Sequence, residues 1–102
     1  MPYIIQTKDK PHQIELRRKL ETEHRAYLDA NQQIILAAGA LLADDGNDTG
    51  GGVYIINVDS RESAEHFIAK DPFNQADLFE KIEIARWRKA YFNFANTLGE
   101  IQ

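Results

Sequence analysis

The pattern of hydrophobic and polar positions divides the chain into alternating strand and helix signals. Uninterrupted or β-branched apolar runs of four to eight residues are typical of strands, whereas apolar positions three and four residues apart are typical of helices. The pattern predicts the order β-α-β-β-α-β, with strands at 3–7, 34–42, 53–58 and 78–88 and helices at 11–31 and 59–71.

Punctuating residues set the predicted ends of these elements. Asp9 is suited to cap the first helix, and Pro11 fits a first helical turn. The polar, glycine-rich stretch 44–52 predicts a long mobile tip between two hairpin strands. The stretch 59–62 resembles a capping box for the second helix, and Pro72 ends that helix because proline disfavours helical geometry in the residue before it.

This order predicts an α+β fold, a ferredoxin-like antiparallel sheet with both helices on one face. The second face of the sheet is too apolar for water, since it carries Tyr3 or Ile4, hairpin residues and Trp87. A second copy of the chain is the simplest cover, so we expect a homodimer, with further assembly of dimers left open. Residues 1–88 form the predicted domain, and the aromatic tail 89–102 is expected to pack on it or on a partner.

Composition narrows the possible functions. The 102 residues suit one domain, and 43% hydrophobic with 27% charged residues is ordinary globular composition. The absence of cysteine excludes disulfides, thiolate metal sites and cysteine nucleophiles. A net charge of −4 without a basic stripe argues against nucleic acid or a membrane as partner. Three histidines without metal-ligand spacing predict no metal site, and we expect a cytoplasmic protein without a cofactor.

The predicted first helix has two faces. Its apolar stripe consists of Ile14, Leu20, Tyr27 and Leu28, and the same stripe also carries Arg17, His24 and Asn31. The opposite face carries Glu15, Arg18, Lys19, Thr22 and Asp29, so we expect it to be solvated.

Three residues are candidates for chemistry. His24 lies on the buried stripe, where it is either a core histidine with one hydrogen bond or, beside a carboxylate, a general acid or base. Asp71 lies at the predicted helix end before Pro72, where a carboxylate is either a solvated cap or a partly buried group with a partner. Arg17 either pairs with a carboxylate of the protein or of a substrate, or lays its stem over the sheet edge.

Taken in order, these segments resemble the YciI-like family over about residues 3–88. The resemblance implies a ferredoxin-like fold that pairs into a dimeric α+β barrel, and a site in which the family's His, Asp and Arg fall on His24, Asp71 and Arg17. The segments that carry it are Arg17 with His24-Arg25-Ala26-Tyr27-Leu28, Gly39-Ala40-Leu41-Leu42 with Asp45-Gly46, Ala64 to Ala69, Asp71-Pro72-Phe73 with Ala76, Leu78-Phe79, and Ile84 with Trp87-Arg88.

Two functions remain open from the sequence. One is a small enzyme without metal or organic cofactor that moves a proton on a small cyclic or unsaturated carbonyl compound, as an isomerase or lyase or, as the resemblance implies, a dehydrochlorinase. In that hypothesis His24 is the acid or base, Asp71 orients it, and Arg17 holds a carboxylate or oxyanion of the substrate. The other is a non-catalytic dimeric module that binds a small organic ligand or supports another protein.

Overall fold

The computed structural model describes residues 1–100 of the chain. Its strands and helices follow one another in the order that the sequence pattern predicts, and a small hairpin follows the domain. The elements are β1 (Tyr3–Asp9), α1 (Ile14–Ala30), β2 (Ile35–Leu42), β3 (Asp48–Ile56), α2 (Arg61–Ala69), α3 (Pro72–Gln75), β4 (Phe79–Arg86), β5 (Tyr91–Phe92) and β6 (Ala95–Asn96).

Four of the strands form one antiparallel sheet with the spatial order β2-β3-β1-β4. Ile5 of β1 lies opposite Tyr54 of β3 and opposite Ile84 of β4. Directly opposed residues of antiparallel strands project to the same face, so this row of side chains lies on the face that the helices cover. The predicted ferredoxin-like α+β fold is confirmed.

The core lies between that face and the helices, because alternate strand residues point inward and meet the apolar stripes of the helices. In β1 the buried positions are every second residue from Tyr3 to Asp9. The buried apolar residues are Tyr3, Ile5, Tyr54, Ile56, Ala64, Phe67, Ile68, Phe73, Leu78 and Phe79.

The other face of the sheet is open in the single chain. Ile4 of β1 lies opposite Ile55 of β3 and Ala85 of β4, and Ile55 lies opposite Ala37 of β2. Gly51 of β3 faces the same way, and a Cβ there would lie 3.2 Å from the side chain of Leu41. An apolar patch therefore covers the β2-β3 half of the open face.

The first helix starts later than predicted, because β1 runs further. Asp9 still pairs with Phe79, and the Lys10 amide donates to the Leu78 carbonyl at 2.9 Å, so Asp9 ends a strand and caps no helix. Helix α1 then begins after Gln13, which makes no side-chain cap. Ile14 is thus the first residue of the helix and is 37% exposed, whereas Leu16 packs against the core, so the prediction that Ile14 faces the core is wrong.

The predicted long tip of the hairpin is also wrong. Residues 48–52 belong to β3, where Gly51 pairs with Lys8 on one side and with Leu41 on the other. A Cβ at Gly51 would lie 3.0 Å from the Thr7 carbonyl oxygen, so the glycine permits a close approach of strands rather than a loop. The turn itself spans only residues 43–47.

The tail 89–102 contains the hairpin β5–β6, whose turn places Asn93 and Phe94 at φ 53° and 63°. Thr97 is buried, and its hydroxyl donates to the Lys89 carbonyl at 2.7 Å, which closes the hairpin on itself. The Phe94 ring is fully exposed, so packing of the tail on a partner stays a prediction. The last two residues of the tail, Ile101 and Gln102, lie outside the described residues.

Among the helices of residues 1–100, none combines the length and the apolar composition that crossing a membrane requires.

The assigned core predicts that alanine in place of two different isoleucines lowers the free energy of unfolding by very different amounts. Ile5 is fully buried in the sheet, so Ile5→Ala leaves a cavity and should lower the free energy of unfolding by about 2–5 kcal/mol. The control Ile14→Ala, at a position 37% exposed, should lower it by less than about 1 kcal/mol. Urea denaturation at one fixed protein concentration measures both values, and equal losses would contradict the assigned core.

Candidate active site

The site is built where the segment between α2 and α3 meets α1. Asp71 has extended backbone geometry, and its carboxylate accepts the Phe73 amide at 2.8 Å, so it is the N-cap of α3. Pro72 occupies the first position of that helix, where its missing N–H and fixed φ are favourable. The Asp71-Pro72-Phe73 sequence thus fixes a short helix start whose capping carboxylate points inward.

The Asp71 carboxylate is fully buried and collects donors from three elements. Besides the Phe73 amide, His24 Nδ1 of α1 lies 3.0 Å from it, and the Tyr54 hydroxyl of β3 donates to Oδ2 at 3.0 Å. A buried carboxylate needs such donors to replace its water of hydration. The structure therefore brings His24 and Asp71 into direct contact.

The carboxylate also determines the orientation of the imidazole. Because an ionised carboxylate only accepts hydrogen bonds, we assign the proton of the neutral His24 ring to Nδ1. The lone pair is then on Nε2, at the far side of the ring. The Phe73 ring stacks on the imidazole with centroids 4.0 Å apart and an angle of 15°, which holds the ring plane in place.

Tyr54 joins the site from the sheet, and the sequence analysis did not find it. Its inward direction follows from the strand alternation that places Tyr54 and Ile56 in the core, but its partner Asp71 lies 17 residues away. Burial raises the pKa of Tyr54 far above its usual range, and the negative charge of Asp71 and the hydrogen bond to it raise the pKa further. Tyr54 therefore acts as a hydrogen-bond donor.

Arg17 is near this network but has another partner. Its Nε donates to Asp9 Oδ2 at 2.6 Å and its Nη2 to Asp9 Oδ1 at 3.0 Å, which is a bidentate pair with side chains only 11% and 5% exposed. Burial alone would lower the pKa of Arg17, but the hydrogen bonds and charge of Asp9 outweigh it and raise that pKa. The guanidinium carbon also lies 4.6 Å from the centre of the Phe73 ring.

Asp9 and Phe73 were the other residues whose roles the sequence analysis missed. Asp9 was predicted as a helix cap, and only the extra strand residues turn its carboxylate towards Arg17. Phe73 enters the sequence analysis only as part of the Asp71-Pro72-Phe73 segment, whereas its ring contacts both His24 and Arg17. The spacing of Arg17 and His24, seven residues or two helical turns, was the one signal that a ring could contact both.

A cleft of about 320 Å³ opens beside this network, between α1 and the β2-β3 edge of the sheet. His24, Tyr54 and Phe73 line its inner end. On the sheet side the cleft is lined by the small residues Ala38, Ala40 and Gly52, which form its floor. The volume is at the lower end of ordinary ligand pockets, roughly 300–1,000 Å³.

This arrangement is suited to proton transfer. A neutral imidazole held at Nδ1 by a carboxylate can accept a proton at Nε2 and return it, while the carboxylate stabilises the imidazolium that forms in between. No group of three histidine or carboxylate side chains within residues 1–100 is placed to hold a metal ion. The chemistry that these residues can perform themselves is acid–base chemistry.

The buried Tyr54 hydroxyl predicts a specific dependence of stability on pH. An unfolded chain releases the tyrosine proton near pH 10, whereas the folded protein keeps it, so stability that is present below pH 10 falls as the pH rises further. Above pH 10 the free energy of unfolding of Tyr54→Phe should therefore fall less steeply than that of the unmodified protein, by up to about 1.4 kcal/mol per pH unit. At pH 7 the same change should cost about 1–2 kcal/mol, the hydrogen bond to Asp71.

Denaturation in urea at pH 7, 10 and 11 measures this effect. Tyr91→Phe is the matched control, since Tyr91 is 70% exposed and should change neither value. An unaltered pH dependence in Tyr54→Phe would contradict the assigned role of this hydroxyl.

Comparison with known proteins finds relatives in sequence and in fold. Two proteins called Protein YciI, from Escherichia coli O6:H1 and Shigella flexneri, are each 29% identical over 98 residues, which is 89% of this chain and 100% of theirs. Among solved structures, the 5-chloro-2-hydroxyhydroquinone dehydrochlorinase TftG from Burkholderia phenoliruptrix AC1100, in complex with 2,5-dihydroxybenzoquinone, is similar. The TM-score is 0.79 and the identity 29%, over 86% of this chain and 94% of TftG.

The model of the YCII-related domain matches residues 1–88, the segment that contains the whole sheet and all three residues of the predicted site. The resemblance inferred from the sequence is thereby confirmed, and the chain belongs to the YCII-related family.

Proposed function

We propose that the protein is an enzyme that moves a proton on a small cyclic, hydroxylated or unsaturated carbonyl compound, with His24 as the acid–base group. The observation that carries the proposal is the contact of His24 Nδ1 with the fully buried Asp71, which leaves Nε2 for a molecule in the adjacent cleft. Asp71 is the positioning residue, since it acts on a substrate only through the imidazole.

A dehydrochlorination like that named for TftG illustrates the chemistry. His24 Nε2 takes a proton from one ring hydroxyl, which becomes a carbonyl, and returns it to the carbon that bears chlorine. Loss of a second hydroxyl proton then forms another carbonyl and expels chloride with its bonding electrons. The sum is the loss of one proton and one chloride, and both transfers need a group that can act as base and as acid.

The sequence hypothesis gives Arg17 the role of holding a carboxylate or oxyanion of the substrate, and in this proposal Arg17 has a different role. Direct binding of a substrate carboxylate would compete with the bidentate contact to Asp9. We therefore assign Arg17 to holding the Phe73 ring, and through that ring the imidazole plane. Its charge still favours an oxyanion in the cleft, although Asp9 balances much of it.

A non-catalytic ligand-binding module is the second candidate, and the other contacts of Asp71 favour it. The same carboxylate caps α3 and accepts the Tyr54 hydroxyl, so it would be buried and paired even in a protein without chemistry. Under that reading the contact with His24 is one more structural hydrogen bond. Turnover by variants of His24 separates the two candidates.

His24→Gln should lower kcat for chloride release from 5-chloro-2-hydroxyhydroquinone by at least about 100-fold, the usual contribution of a general acid or base. Glutamine keeps a polar side chain of similar size, so the fold should remain, as circular dichroism can check. His66→Gln in α2 is the control and should leave kcat unchanged, since His66 lies outside this cleft. Full activity in His24→Gln would contradict the mechanism, and a protein that binds the compound without releasing chloride would favour the binding module.

We further propose that two copies pair through the open face of the sheet. The support is the apolar patch of that face, in which Ile4, Ile55 and Ala37 lie side by side on neighbouring strands. An exposed apolar surface of this kind is typical of a protein–protein contact, and a symmetric pair would cover it on both copies at once.

Ile55→Lys should convert the dimer to monomer, because it would place an unpaired charge in the centre of the apolar contact. Sedimentation velocity at micromolar concentration measures the species present, and circular dichroism checks that the monomer is folded. Ala26→Lys adds the same charge at an exposed position of α1 and should leave the dimer intact. A folded Ile55→Lys dimer, or a monomeric unmodified protein, would contradict this interface.

A further inference from the structure

Three arginines of α1 line the cleft, and two of them already have carboxylate partners. Arg17 is held by Asp9 in the bidentate pair described above. Arg25 pairs with Glu21, one turn before it on the helix. Neither guanidinium can bind an anion in the cleft without giving up, or sharing, its present partner.

Arg18 is the third arginine, and its guanidinium is not committed. Within residues 1–100, the ion pairs and side-chain hydrogen bonds of the cleft do not involve it. The prediction from periodicity placed Arg18 on the solvated face, and it is indeed exposed. It nevertheless lines the cleft, because positions 18, 21, 25 and 28 follow one another along the helix at intervals of three and four.

We propose that Arg18 recognises the ionised oxygen of an acidic, single-ring substrate and thereby sets the specificity of the cleft. The inference rests on the proposed function, because it places that substrate beside His24. A guanidinium offers two parallel N–H donors that match a carboxylate or an ionised ring hydroxyl. The small floor residues Ala38, Ala40 and Gly52 allow one flat ring to lie on the sheet, and the volume of about 320 Å³ is small for a larger ligand.

The charges around the cleft determine on which side the anion should bind. Asp48 of β3 lines the cleft from the sheet, and its carboxylate repels an anion placed near it. Glu21 lies on α1, but Arg25 neutralises it. Asp48 is near the N-terminal part of α1, because its charge also acts on Arg17. Arg18 carries a charge that no carboxylate of the described residues offsets within ion-pair distance, so the anion should bind on the helix side of the cleft, at Arg18.

Benzoate and its uncharged analogue benzamide test this inference directly. Titration of the protein with each compound, followed by the amide resonances of the cleft residues in NMR spectra, gives two dissociation constants. Arg18→Gln should weaken the binding of benzoate about five- to tenfold and the binding of benzamide less than about twofold, because only the charged contact is lost. Lys19→Gln is the matched control, since it removes the same charge from the next residue, which lies outside the cleft.

Two further measurements give changes of predictable sign. Asp48→Asn removes the opposing charge and should strengthen benzoate binding about twofold while leaving benzamide unchanged. Raising the salt concentration should weaken benzoate binding in the unmodified protein and have little effect in Arg18→Gln, because exposed charges are screened.

The inference is overturned if Arg18→Gln binds benzoate as tightly as the unmodified protein, or if Lys19→Gln weakens it equally. Equal losses for benzoate and benzamide would assign Arg18 a structural role, and no binding of benzoate to the unmodified protein would also reject the proposal. These outcomes are independent of catalysis by His24. Full activity of His24→Gln would reject the proposed chemistry and leave the anion contact of Arg18 standing.

Discussion

The buried carboxylate of Asp71 is the constraint on which the site depends. A carboxylate without solvent must be surrounded by donors, and here one comes from α1, one from β3 and one from the start of α3. Each donor fixes the position of its own element relative to the other two. The imidazole of His24 is thus placed by the same requirement that keeps the fold free of an unpaired buried charge.

A second buried pair, Asp9 with Arg17, adjoins this network through Phe73. Asp9, the last residue of β1, holds Arg17, and Arg17 lies against the Phe73 ring that stacks on His24. The backbone amide of Phe73 donates to Asp71, and the ring of the same residue contacts Arg17, the partner of Asp9. Phe73 thus connects the two buried carboxylates. The plane of the imidazole is consequently fixed from two directions, by a hydrogen bond at its edge and by a stacked ring on its face.

The local part of this arrangement could be predicted from the sequence, and the long-range part could not. The periodicity of α1 placed Arg17 and His24 on one stripe, and Pro72 marked the chain reversal that presents Asp71. The contact of Asp71 with Tyr54 joins residues on different elements, for which a single sequence carries no signal. Asp9 was assigned wrongly because cap and strand signals compete there, and pairing with β4 decided the outcome in favour of the strand.

In the proposed mechanism Asp71 has a structural and a chemical role, and its own replacement cannot separate them. Removing the carboxylate leaves the Tyr54 hydroxyl, the Phe73 amide and His24 Nδ1 without their acceptor, so loss of activity in such a variant would have two explanations. His24 is different, because it is only partly buried and, among residues 1–100, its hydrogen bond is made through Nδ1 and not through Nε2. In the proposed function, substitutions at cleft residues outside this network, such as Arg18 and Asp48, can therefore alter ligand binding without altering the buried contacts that position the imidazole.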